Sequence, residues 1–201
     1  MKHFSDEELV QEIRTGSQVA FGVLMKRYER VVYRIGFSYA KEPEHAMDIT
    51  QNVFLKTYEK LALFKGTGKF KAWLMRLTYN ECTDWLRKNR RFKQDVELTP
   101  VNTPILQPVQ EKEMARREYR EILINEMQEL NPKQQMVLSL RYFEDMPIRE
   151  IANVMECTDG NVKSILFRSL EKLRNRLTLK RRENHEGMPK FPKDNPGLRS
   201  G

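Results

Sequence analysis

The sequence predicts an all-α protein of two small helical domains joined by a flexible linker, the second containing a helix-turn-helix. Three observations carry this reading. Apolar residues recur at spacings of three and four through two long blocks, with no β-type alternation anywhere. Between the blocks, "DVELTPVNTPILQPVQ" (95–110) has three prolines, no basic residue and no helical period, a length rarely left unstructured inside one compact domain. The net charge of +8 is also divided: residues 1–62 are neutral, 63–93 carry nine basic against two acidic groups, and 94–146 sum to −4. At 201 residues and 39% hydrophobic content, two small cores are within reach.

The first helix starts at "FSDEEL": Ser5 caps it, Glu8 completes a capping box, and Phe4 and Leu9 are spaced as a hydrophobic staple. Phe21, Leu24, Tyr28, Val31, Ile35 and Tyr39 then mark one buried face of a long helix. After "KEPEH" another helix turns Ala46, Ile49, Val53 and Thr57 inward. Its opposite stripe is Asp48, Gln51, Asn52, Leu55 and Glu59. A glycine-bearing loop at 66–68 breaks the pattern, and a fourth helix is expected over about 70–90.

The second helical block spans 111–180. Asn131, Pro132 and Gln134 in "NPKQQ" supply a cap, a first-turn proline and the box partner. In "PIREIANVMECTDGNVKSILFRSLEKLRNRL" a short helix face (Ile148, Ile151, Ala152, Met155), a tight turn "ECT" and a second face (Val162, Leu166, Leu170, Leu173, Leu177) form a helix-turn-helix pattern. Lys163, Ser164, Phe167 and Arg168 remain outside near the start of the second helix, where a recognition helix meets a major groove. The polar, Pro- and Gly-containing stretch 180–201 reads as a disordered basic tail.

Other classes find little support. His3, His45 and His185 sit in unrelated contexts, and no nucleophile–base pair, P-loop or metal-ligand spacing occurs, so neither an enzyme nor a cofactor is expected. Cys82 and Cys157 lie far apart, against a disulfide framework and in keeping with a cytoplasmic location. No apolar run is long enough to insert in a membrane, and no apolar leader opens the chain. Localised positive charge beside an acidic interval is the footprint of a polyanion binder touching its ligand at separate places. An autonomous helix-turn-helix regulator would share the second block, but its ligand or dimerisation domain has no need of the cluster at 63–93.

In both blocks the chain resembles the extracytoplasmic-function (ECF) RNA polymerase sigma factors. The resemblance rests on "AFGVLMKRYERVVYRIGFSYA", "EHAMDITQNVFLKTYEKLALFKG", "FKAWLMRLTYNECTDWLRKNRR" and "LNPKQQMVLSLRYFEDMPIREIANVMECTDGNVKSILFRSLEKLR", in that order. It implies a region-2-like domain at 1–94 that binds the polymerase clamp and the −10 element. A linker at 95–112 follows, then a region-4-like domain at 113–179 for the −35 element and the polymerase flap. The implied partners are core RNA polymerase and promoter DNA, with an anti-sigma factor as a further candidate.

By the same resemblance, the clamp-binding helix carries Asp48, Gln51, Asn52, Phe54 and Leu55. The loop and helix that hold a flipped −10 base and track its strand carry Lys65, Gly66, Lys69, Phe70, Lys71, Trp73, Arg76, Asn80, Arg87, Arg90 and Arg91. The −35 element falls to Thr158, Asn161, Lys163, Ser164, Phe167 and Arg168. The sequence departs from the family's usual pattern at Asn52 (usually Glu), Glu156 (usually Gly) and Ile165 (often Arg). Base flipping explains why aromatic and cationic residues share 61–93: an unstacked base needs stacking surface, edge contacts and phosphate neutralisation together.

Overall fold

Helix α1 (Asp6–Arg14) begins at the expected capping box, with the Ser5 hydroxyl accepting from the Glu8 amide and the Glu8 carboxylate from the Ser5 amide. A computed structural model describes residues 4–61, 64, 69–89 and 126–183 of the chain, and every regular element among them is helical. Gly16, at φ 98, turns the chain into α2 (Gln18–Ala40), which Ser17 caps and a left-handed Lys41 ends. Only a residue that tolerates positive φ closes a helix in this way, and Lys41 does so without being glycine. Pro43 occupies the first turn of α3 (Pro43–Lys60), where its missing N–H forfeits no helical bond. Helix α4 runs over Phe70–Asn89.

These four helices pack around one another, with α2 touching each of the others. The α2 face is buried as its spacing predicts at Leu24, Tyr28, Val31, Ile35 and Tyr39, whereas Phe21 is half-buried and meets Tyr58 edge-on. Ala46, Ile49, Val53 and Thr57 of α3 are all buried. Three buried threonines satisfy their hydroxyls within their own helices: Thr50 donates to the Ala46 carbonyl, Thr57 to Val53 and Thr78 to Leu74. A β-methyl thus enters the core without an orphaned hydroxyl.

Gly36 lets α2 and α3 approach closely. A Cβ there would lie 3.3 Å from both the Ala46 carbonyl oxygen and Ile49 Cγ2. Gly36→Val should therefore force the helices apart and destabilise the protein by about 1–3 kcal/mol, the usual range for overpacking. Urea unfolding followed by circular dichroism would read this directly, and an unchanged midpoint would show that the contact yields freely.

In the second block, Asn131 and Gln134 form the predicted capping box for α5 (Pro132–Leu138). Helix α5 runs directly into a π-helical turn at Ser139–Phe143, which no periodicity in the sequence announces; there the Glu144 amide reaches back five residues to the Ser139 carbonyl. The helix-turn-helix is α6 (Ile148–Val154) followed by α7 (Asp159–Glu183). Val162, Leu166, Leu173 and Leu177 are buried as predicted, and Leu170 is half-buried. The segment before α5 is tied to α7: Arg176 Nε donates to the buried Glu126 carboxylate at 2.7 Å, and Lys172 to the Glu129 carbonyl. Helix α7 runs to Glu183, four residues into the stretch expected to be disordered. The expected linker 95–112 lies outside the described residues, as does the tail beyond Glu183.

Candidate nucleic-acid interface

Three groups of candidate residues emerge on three elements. On α3, Asp48, Gln51, Asn52 and Leu55 line the outer face, with Leu55 62% exposed although apolar. Met47 and Tyr58 extend this surface, also large and exposed. Phe54 lies beside the stripe, half-buried against the core. An exposed apolar group ringed by polar ones is the composition of a protein-docking surface.

The second group surrounds α4. Phe70 corrects an expectation: it is 1% exposed, and its ring lies 5.9 Å from Phe64, 5.7 Å from Trp73 and 5.8 Å from Tyr28. It opens α4 at a position facing the core, packed beneath Trp73 and closed to any ligand from solvent. Trp73 does two things. One part packs on Phe64, 5.2 Å between centroids, and another lines an open cleft of about 320 Å³ with Lys60, Arg76, Leu77 and Asn80. Lys60 and Leu77 were not singled out from the sequence. Lys60 ends α3, and only the fold brings it to α4; Leu77 reads as one more apolar position on a helix.

The cations of this group differ in their surroundings. Arg87 is exposed and pairs with Asp84. Lys69, Lys71 and Arg76 reach instead toward the second block. Lys71 Nζ lies 2.8 Å from Glu144 Oε2 and donates to the Glu144 carbonyl; Lys69 lies 3.0 Å from Glu150, and Arg76 2.7 Å from Glu156. Lys65, Gly66, Arg90 and Arg91 lie outside the described residues.

The third group is the start of α7. Thr158 is chiefly a cap: its hydroxyl accepts from the Asn161 amide at 3.2 Å. Asn161, Lys163, Phe167 and Arg168 are exposed, Phe167 by 67%, whereas Ser164 is half-buried. The turn before α7 places Glu156 at φ 52, a left-handed conformation natural to glycine. Burial pushes the Cys82 thiol well above its ordinary range, which keeps it protonated, and burial raises Cys157 as well. Neither is poised as a nucleophile.

A helical chain with an exposed mixed stripe on α3, an aromatic cleft beside α4 and a capped, outward-facing start of α7 has counterparts among known proteins. Residues 24–92 match the model of sigma-70 region 2, and residues 127–175 match that of sigma-70 region 4. The chain is 28% identical over 174 residues to the RNA polymerase sigma-H factor of Pseudomonas aeruginosa, covering 83% of this chain and 90% of that protein. It is 27% identical over 190 residues to the ECF RNA polymerase sigma-E factor of Escherichia coli, covering 88% and 96%. The chain belongs to the ECF sigma factors.

Two solved structures share its fold. CnrH, in complex with the cytosolic domain of CnrY, is 23% identical with a TM-score of 0.60, covering 87% of this chain and 97% of that one. The sigma factor RpoE of Bartonella quintana, in complex with the anti-sigma factor NepR, is 18% identical with a TM-score of 0.65, covering 79% and 96%. In this ECF sigma factor no helix among the described residues is long and apolar enough to cross a membrane.

Proposed function

We propose that this ECF sigma factor, a promoter-specificity subunit of RNA polymerase, divides its work among the three surfaces. The α3 stripe (Asp48, Gln51, Asn52, Leu55, with Phe54 at its edge) docks on the polymerase clamp. The region-4-like half meets the flap and presents Asn161, Lys163, Phe167 and Arg168 to the −35 major groove, with Thr158 capping the helix that carries them. The α4 surface receives the −10 strand: Trp73 and Asn80 hold an unstacked base, while Lys69, Lys71, Arg76 and Arg87 neutralise phosphates. Lys65, Gly66, Arg90 and Arg91 extend this surface on either side.

The observation that supports this best is the cleft at Asn80. It joins an indole face, an amide able to bond a base edge and two cations within one open niche, which is the set a flipped base requires. A stand-alone regulator would have no use for it. The protein performs no catalysis of its own and works in the cytoplasm. CnrH and the Bartonella factor were each solved with a protein bound, and an anti-sigma factor is the matching partner class here.

In vitro transcription with core polymerase on a genomic fragment library, sequencing RNA 5′ ends, tests the reading. Start sites should share two upstream elements at fixed spacing. Arg168→Ala should change the ranking of those promoters by about 1–3 kcal/mol per contacted guanine, whereas Lys163→Ala should weaken all of them evenly if it holds a phosphate. Promoter strength and ranking untouched by both changes would mean that another face of α7 reads the DNA.

A further inference from the structure

Three cations of the basic cluster at 63–93 find acidic counterparts within the chain. Glu144, Glu150 and Glu156 follow one another along the second block and meet Lys71 and Arg76 on α4 and Lys69 just before it. Arg34 of α2 adds to this seam, 3.4 Å from Glu144 and with its guanidinium 4.5 Å over the Phe143 ring. Lys41 closes it at the far end by donating to the Gln128 carbonyl at 2.8 Å. Along the seam α4 packs on α6 and α2 on α5. We propose that this contact is an autoinhibitory latch: in the free protein the C-terminal half occupies Lys69, Lys71 and Arg76 of the −10 surface and releases them when polymerase draws the halves apart.

This rests on the α4 reading given above. Three features favour a latch over incidental contact. Lys71, Lys69 and Arg76 each meet a different acid, and carboxylates held against those cations occupy the positions that phosphates would take. The covering is also selective, because the α3 stripe and the outer face of α7 stay open while Lys69, Lys71 and Arg76 are engaged. Polymerase can therefore dock before the latch opens. Finally, Glu156 keeps a strained left-handed backbone at a turn that glycine would make without strain, and its carboxylate is the group that reaches Arg76.

The test uses the full chain with donor and acceptor dyes on Lys88→Cys and Asn153→Cys, two exposed positions on α4 and α6, in a Cys157→Ser background; Cys82 is buried. Energy transfer should fall in Glu150→Lys with Glu156→Lys, should fall on raising salt in the unreversed chain, and should return in the swap Lys69→Glu, Arg76→Glu, Glu150→Lys, Glu156→Lys. Glu156→Gly, which relieves the turn while removing one partner, should loosen the contact with helicity intact. In parallel, a fluorescein-labelled random-sequence single strand should bind the Glu150→Lys, Glu156→Lys chain several-fold more tightly than a control with the same two lysines at Glu7 and Glu12. Transfer that is low in the unreversed chain, or indifferent to both reversal and salt, would overturn the latch. A fall in transfer without tighter strand binding than the control would support the latch and overturn the −10 reading of α4.

Discussion

Asp48→Lys combined with Gln51→Ala should abolish co-purification with core polymerase while leaving helicity and the unfolding midpoint unchanged. Both residues are exposed on α3, on the side opposite the buried Ala46, Ile49, Val53 and Thr57. Changing them opens no cavity, so the cavity and desolvation mechanisms that make mutations severe are absent. At the interface the situation reverses. A lysine at 48 would bring a positive charge to a spot suited to a negative one, and breaking a buried charge contact at an interface costs about 2–5 kcal/mol. Gln51 lies one turn of helix away on the same face, so its loss removes an adjacent hydrogen-bonding group. Retained co-purification with an unaltered circular dichroism spectrum would refute the assignment of this stripe. Loss of helicity would instead show that the stripe is structural.

The second large effect is expected at the cleft. Asn80→Ala with Lys60→Ala should spare polymerase binding and −35 recognition but sharply reduce open-complex formation on a closed promoter. Part of the loss should be regained on a template already mismatched across the −10 region. On the proposed role the cleft matters only once a base has left the stack, and unstacking costs a few kcal/mol that the protein must offset. Pre-melted DNA has no such cost. Both side chains are exposed, so the fold should tolerate their truncation. Permanganate reactivity of −10 thymines reports strand opening directly. Equal deficits on closed and mismatched templates would indicate phosphate anchoring alone, and no deficit on either would remove the cleft from the mechanism.

The helices were legible because their signals are local. Capping boxes at Ser5 and Asn131 involve neighbours three residues apart, and the buried faces of α2 and α3 follow from a 3.6-residue period. The outward stripe on α3 could be read for the same reason. The cleft was only half legible: Trp73, Arg76 and Asn80 share one helix, but Lys60 arrives from another element and carries no sequence mark of doing so. Phe70 joined the −10 group through the family resemblance alone, whereas its place in the helical period turns it inward onto Tyr28 and Phe64. The meeting of Arg76 with Glu156, eighty residues apart, was beyond any periodicity. Composition showed that charges of opposite sign existed, and only the fold shows which ones meet.

The π-helical turn at Ser139–Phe143 has a bearing on how such a chain can vary. A wider turn holds one residue more than an α-helical path between the same anchors, and each helical residue rotates the downstream chain by about 100°. Removing a single residue between Ser139 and Phe143 would thus close the turn to an α-helical one and leave the chain on either side on its present axis, with Phe143 kept beneath Arg34 and Glu144 beside Lys71. Removing two would exceed what the turn absorbs and rotate the following chain by about 100°. In this protein the wide turn is therefore a spare residue held in reserve. A one-codon deletion there should be tolerated, where the same deletion within α2 or α3 would turn a buried face outward.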